Sequence, residues 1–404
     1  MPLLTYEGAR PWAKAIKAAV VSRTMPPWFA DPHYGEFRNA PTITPAEIGT
    51  LTAWADGGAV EGDPADRPPA VRWPEGWRID PDVLVSMPKP HRVGPKGDGQ
   101  IKEFFIENPF KEDTWVSAIE IRPSDPSAVH HVIVQINEVL FTGGILGAAL
   151  GAGPAGSGSY SGTSLFTMER LAGRGTFKTM EAVYAPGSPP LDFRFANAAK
   201  LIRGKTPIRL EVHYTPNGRQ TQDQTKIAFT LAKGPVERSF VIMAPEHLAD
   251  IRKPIPPGAE NWETKGELVF NRDVQLVWFM PHMHLRGKDM TFRLIYPDGK
   301  EETVLSAKFN FHWQLGYELK DPISVPSGTR MVVTAHHDNS ANNPSNPEPD
   351  KKVRWGEMTA DEMMLPWFGV LTEKNLHPML IATYKPGHFD GPAPKARVVA
   401  AGAP

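Results

Sequence analysis

The shortness of the apolar runs restricts the fold of this chain more than any other feature. Forty-two prolines and 35 glycines are spread through 404 residues, and turn pairs such as Asp298-Gly299 recur, so no hydrophobic stretch extends far before it is broken. Runs of strand length with β-branched and aromatic residues follow one another at 82–86, 102–107, 114–121, 129–136, 207–214 and 226–231. After a break at Lys233-Gly234-Pro235 they resume at 239–243, 268–271, 274–280, 291–296, 302–305, 329–335 and 367–371. Helical periodicity is scarce over the same span. A series of short strands with turn signals between them predicts a mainly β protein built from two β-sandwiches.

The ends of the chain read differently. Residues 1–66 are predicted to be helical: Pro11 opens one helix on which Trp12, Ile16, Ala19 and Val20 recur, and Met25-Pro26-Pro27-Trp28 stops it. Thr44, Pro45 and Glu47 give a second helix a capping box, and Gly57-Gly58 ends it. Residues 63–77 are a proline-rich extended linker. The expected organisation is therefore a helical segment at 1–66, sandwiches at 67–234 and 235–385, and a disordered Pro/Ala/Gly tail at 386–404. The Gly/Ala/Ser-rich segment 143–162 reads as a flexible surface insertion.

A formal charge of −1 argues against nucleic acid or an anionic membrane surface as the main partner. No run of about 18 apolar residues predicts a membrane span. The absence of cysteine removes disulfides, thiolate metal sites and cysteine nucleophiles, leaving N, O and thioether ligands for any metal. The first residues lack the basic start and apolar stretch of a signal peptide.

Within that frame the histidines stand out. In Pro281-His282-Met283-His284 the two histidines are two apart, so on a strand both leave the same face, and Met283 leaves the other. Spacing alone is equally compatible with one packed and one solvated histidine. His130 and His131 begin an apolar strand, where neighbours point to opposite faces, so both reach one ion only if the strand is bent or just beginning there. On the strand ending in His213, the apolar Ile208, Leu210 and Val212 share one face and leave His213 on the other. The segment 355–364 ends in Asp361-Glu362-Met363-Met364. A methionine is more often packing than ligand, but its soft thioether suits Cu(I) as imidazole suits both copper oxidation states.

Taken together these motifs resemble, in order, those of the copper type II, ascorbate-dependent monooxygenases, the family of peptidylglycine α-hydroxylating monooxygenase and dopamine β-monooxygenase. The resemblance spans roughly residues 82–384. It implies two jelly-roll-like β-sandwiches, each carrying one copper across a solvent-filled cleft. His130, His131 and His213 match the electron-transfer copper site. His282, His284 and Met363, rather than Met364, match the oxygen-binding copper site and would be the catalytic ligands. The implied chemistry is hydroxylation of a C–H bond of a small organic substrate with O2, with ascorbate or another reductant, or an electron-donor protein, supplying electrons. Where the peptide-hydroxylating member uses an arginine, an asparagine and a tyrosine to hold a peptide carboxylate, this chain has Met280, Leu365 and Trp367. An apolar group cannot replace a guanidinium fork, so these pocket candidates imply a more apolar or aromatic substrate.

Lack of cysteine places the resemblance in the family's bacterial branch. Residues 1–66 also resemble the latter part of a c-type cytochrome domain, with Met25 as the axial haem ligand. Because Cys-x-x-Cys-His is missing, haem is not expected in this chain as given. The reading expects the chain to begin inside a longer protein, which a signal peptide would direct to the periplasm or outside the cell. A non-catalytic copper-binding or copper-transfer protein is the competing reading. His336-His337-Asp338 matches no ligand of the family and is read as structural.

Overall fold

The structure, a computed structural model, describes residues 3–66, 76–97, 99–136, 177–246, 248–250, 252–356, 358–374, 376 and 378–387. The insertion at 143–162, the centre of the proline-rich linker and the tail from residue 388 lie outside the described residues. By its contacts the chain divides into two units, one of Met1–Phe29 with Phe37–Gly76, the other of Ala30–Glu36 with Trp77–Pro404.

The first unit is helical. Its helices are Tyr6–Ala9, Ala13–Val21 and Pro45–Asp56, with a 3-10 turn at Arg10–Trp12 that holds Pro11 and leaves Trp12 ahead of the second helix. The predicted capping box is formed. Glu47 donates its N–H to the Thr44 hydroxyl at 3.2 Å, and the Glu47 carboxylate accepts the Thr44 N–H at 2.7 Å. Lys17 and Asp56 tie the two longer helices together at 2.6 Å. No helix among the described residues is long and apolar enough to cross a membrane.

The second unit is mainly β, as the alternation of the runs predicts. Its largest sheet runs in the order Val83–Ser86, Lys226–Leu231, Thr114–Arg122, Ala198–Ile202, Arg238–Pro245, Leu365–Glu373, Val274–His282, Tyr317–Val325, with Phe177–Met180 and Leu191–Asp192 paired off the main path. A four-stranded sheet, Gln100–Ile106, Ile208–Tyr214, Val129–Gln135 and Ala182–Tyr184, belongs to the first half of the unit. A five-stranded sheet, Glu301–Lys308, Gly287–Ile295, Arg330–His337, Trp262–Phe270 and Ala382–Tyr384, belongs to the second half.

The boundary expected at residue 234 falls between Lys226–Leu231 and Arg238–Pro245, yet the large sheet continues across it. Arg238 and Ser239 pair in parallel with Ala198 and Ala199. Apolar side chains follow the same continuity. One buried cluster joins Val132, Leu210 and Val212 of the four-stranded sheet to Phe229 of the first half and to Phe240, Trp278, Met280 and Trp367 of the second. The tilted ring pair Phe279–Phe292 and the edge-on pair Phe270–Phe368, at 5.0 and 5.9 Å, pack the five-stranded sheet on its side of the large one. The strand Tyr317–Val325, absent from the sequence reading, lies at the edge of the large sheet. Its exposed middle, Lys320-Asp321-Pro322, hides the alternation and is tolerated there because an edge strand can spare a donor.

Candidate metal centre

His131 and His213 lie directly opposite each other on neighbouring antiparallel strands, which puts both imidazoles on one face. His130 joins them through a β-bulge. The register passes from His213 opposite His131 to Tyr214 opposite Val129, so His130 is the extra residue, and the bend turns its ring toward its neighbour. This is the bent strand that two adjacent histidines require if they are to share an ion. Ligand-capable atoms of His130, His131 and His213 all fall within 4.8 Å of one another, and His130 Nδ1 is 3.2 Å from His131 Nδ1. A Cβ on Gly99 would stand 2.7 Å from His213 Nε2, so a larger residue there would push the ring aside.

His282 ends its strand, and His284 lies in the turn that leads to Gly287–Ile295. Met283 between them is fully buried. The turn closes through Gly287, where a Cβ would meet Met283 Cβ at 2.5 Å and Phe309 Cδ1 at 2.6 Å. Opposite His282 stands Leu365, and Pro281 faces Pro366, so two residues without an N–H are paired with each other at the end of the ladder. The rings of His282 and His284 are 5.4 Å apart and nearly perpendicular.

The two groups of histidines meet. The rings of His131 and His282 are 6.3 Å apart at 87°. Burial holds the affinity of all these imidazoles for protons below the ordinary value, and at every one except His284 a neighbouring imidazole adds to the effect. His213 falls to about 4 through burial, then His130 and His284. His282 falls to about 3 through burial, then His284. Burial also lowers His131 well below the usual range, followed by the rings of His213, His130, His282 and His284. Burial lowers His130 and His284 as well. The five rings are therefore neutral near pH 7, the form in which imidazole binds a metal.

Three of them have one nitrogen already committed. His282 Nδ1 meets Gln314 Oε1 at 2.6 Å, His284 Nδ1 donates to the Asp361 carbonyl at 3.2 Å, and His130 Nε2 donates to the Phe311 carbonyl at 2.9 Å. A carbonyl can only accept, so these contacts fix the tautomers. His282 and His284 keep Nε2 as a lone-pair donor, and His130 keeps Nδ1.

Met363 is half-buried against the large cluster. Its N–H donates to Glu362 Oε2 at 3.1 Å, the oxygen that also accepts the His284 N–H at 3.0 Å. The other oxygen, Oε1, accepts the Arg286 N–H at 2.6 Å. Glu362 is wholly buried; burial works against its charge, and His337, His284 and Arg286 outweigh it, so its carboxyl is held below the usual range. Arg286 is buried too, its guanidinium donating to Asn339, Asn346 and the Ala360 carbonyl. His337 is enclosed beside Glu362, with Nδ1 at 3.6 Å from Oε2 and Nε2 at 3.3 Å from the Thr264 hydroxyl. His336 binds Asp289 at 2.6 Å. Those two histidines belong to this brace and to the adjoining sheet, as the structural reading of the segment expects.

Met280 stands opposite Trp367, two pairs along the ladder from His282 and Leu365, and all three pocket candidates are buried in the large cluster. Met25 lies in the helical unit, just after Ala13–Val21. The contacts made by Phe311, Gln314 and Glu362 have no signature in the sequence. The first two lie in a loop without periodicity, and their partners are nearly two hundred and about thirty residues away in sequence. Glu362 was visible only as part of a motif.

No protein-family model matches the chain, and no curated protein matches it. Among solved structures, PNGF-II is similar over 73% of this chain at 11% identity with a TM-score of 0.28, and the chain covers 66% of that structure's length. A structure of infectious bursal disease virus, Gt strain, is similar over 80% of this chain and 81% of its own at 8% identity and a TM-score of 0.15. The VP2 subviral particle of infectious bursal disease virus is similar over 76% and 77% at 8% identity and a TM-score of 0.18. Likenesses at this level carry no argument about the fold or the activity of this chain.

Proposed function

We propose that this chain is a copper-dependent monooxygenase that hydroxylates a C–H bond of a small, largely apolar organic molecule, with ascorbate or a comparable one-electron donor. The observation that carries the reading is the meeting of five neutral imidazoles, in three of which, His130, His282 and His284, the uncommitted nitrogen is fixed by a hydrogen bond on the other nitrogen. A neutral nitrogen set next to a thioether-bearing segment, with no thiolate in the chain, suits copper in both oxidation states better than zinc. His130, His131 and His213 would hold one copper, and His282, His284 and Met363 the other. Bound there, copper would supply one-electron redox chemistry and the activation of O2.

The protein's own residues have separable tasks in this reading. Gln314 and the Asp361 carbonyl orient His282 and His284, and Glu362 fixes the backbone on which His284 and Met363 sit. Met280, Leu365 and Trp367 present no charge to a substrate, in keeping with an apolar one. If the gene supplies a signal peptide upstream, the enzyme works in the periplasm or outside the cell.

Metal analysis of copper-reconstituted protein, followed by oxygen uptake with ascorbate and candidate substrates, tests the proposal. The wild type is expected to hold two coppers per chain. Met363→Ala and His213→Ala are each expected to lose tight binding at one site and to lower turnover by at least about 100-fold. Full copper and full activity in both variants would refute the site assignment. Tight copper without coupled oxygen uptake would instead make the chain a copper-binding or copper-transfer protein.

A further inference from the structure

The loop between the strands Glu301–Lys308 and Tyr317–Val325 touches both histidine sets. At one end the Phe311 ring lies flat on His130, with centroids 4.6 Å apart and planes 22° apart, while the Phe311 carbonyl accepts the His130 Nε2–H at 2.9 Å. At the other end, the buried Gln314 accepts the His282 Nδ1–H at 2.6 Å. The same Gln314 amide donates to the Phe311 carbonyl at 3.3 Å. Four groups thus form one chain: His130, the Phe311 carbonyl, the Gln314 amide, and His282. The loop is anchored at its ends. Phe309 donates its N–H to the Lys288 carbonyl at 2.8 Å, and a Cβ on Gly316 would stand 2.8 Å from Trp278 Nε1.

From this geometry we infer that the loop is a strap coupling the two histidine sets, and that Gln314 is the positioning residue through which each set senses the other. A carboxamide is the side chain this position needs. Its oxygen requires the His282 proton on Nδ1, and its NH2 requires a free lone pair on the Phe311 carbonyl, whose other lone pair takes the His130 proton on Nε2. The Phe311 carbonyl that takes the His130 proton thus also turns the Gln314 amide so that its oxygen faces His282, and the two rings are held through one shared acceptor. A carboxylate could keep the His282 bond but would repel the Phe311 carbonyl, and an aliphatic residue would lose both. The consequence for metal binding rests on the function proposed above; the coupling of the two imidazoles does not.

Histidine ring 15N NMR on the metal-free protein reads the strap directly. The wild type is expected to show His282 protonated at Nδ1 and His130 at Nε2. Gln314→Leu should give mixed tautomers at His282 and move the His130 resonances as well. Gln314→Glu should restore the single tautomer at His282 while leaving His130 displaced, and it keeps the test decisive if the leucine variant does not fold. With copper(II) added, Gln314→Leu should weaken binding at the His282 set by about 10- to 100-fold, whereas Gln314→Glu should not weaken it. Unchanged ring signals at His282 in Gln314→Leu would overturn the inference. So would a change confined to His282 with His130 unmoved, because that leaves Gln314 a local partner and no strap. If the wild type binds no copper while the ring signals behave as expected, the proposed function falls and the strap stands.

Discussion

A histidine buried among other histidines is a poor base. His131, His213 and His282 are in this position: burial disfavours the imidazolium, and adjacent rings disfavour a second charge. In the unfolded chain these residues take up protons near 6.5, whereas in the folded protein His213 does so only at about 4 and His282 at about 3. The unfolded state therefore binds more protons below pH 6.5, and stability falls as the pH drops. This contribution is complete above 6.5 and is lost progressively toward the folded values. Thermal melts of the metal-free protein should show a midpoint that declines between pH 6.5 and 4.5, with a shallower decline in His213→Asn. A midpoint that rises on acidification over that range would contradict the assignment of neutral rings. The ligand-type residues were legible because histidines two apart on a strand, or at a strand's end, announce themselves. Gln314 and Phe311 were not, since a glutamine in a loop has no pattern until the ring it orients has been placed.

At the scale of elements, local signals fared best where the cause is local. Thr44, Pro45 and Glu47 start a helix through their own bonds, so the start could be read residue by residue. The bulge at His130 depends on the register of a partner strand eighty residues on, and the sequence could state only that a bend would be needed. The segment around Glu362 is of the second kind. One buried carboxylate accepts the N–H groups of His284, Arg286 and Met363, and so ties the turn after His282 to the segment entering Leu365–Glu373. A carboxamide offers one accepting oxygen where two are needed, and its NH2 would face a backbone donor. Glu362→Gln should therefore cost about 3–5 kcal/mol in urea denaturation, as expected when a buried charge is removed from its partners. Glu263→Gln, on the exposed side of His336, should change stability by no more than about 0.5 kcal/mol. Equal stability of Glu362→Gln and wild type would mean that the three N–H groups find other acceptors and that Glu362 does not organise the turn.

For the molecule as a whole, the mainly β character was legible because period-two alternation and turn residues recur throughout. The way the halves join was not. Lys233-Gly234-Pro235 breaks the pattern as an interdomain linker would, but the strands on either side of that break lie in one sheet, and the parallel pairing of Arg238 with Ala198 has no local signature. Continuity of the sheet and of the buried cluster has an energetic consequence: Trp367, in the last third of the chain, helps to bury Met280 and shares its cluster with Val132 and Leu210 of the first half. Removing its side chain leaves a cavity that neither half can close alone, at a cost of about 3–5 kcal/mol. If the halves stand or fall together, amide exchange in Trp367→Ala should accelerate in Ile208–Tyr214 and in Arg330–His337 alike, and denaturant unfolding should remain a single transition shifted as a whole. Loss of protection confined to Arg330–His337, with Ile208–Tyr214 as slow as in the wild type, would show two independent cores. The histidine sets would then be held near each other by the strap and the sheet edge alone, and copper binding at one should survive the unfolding of the other half.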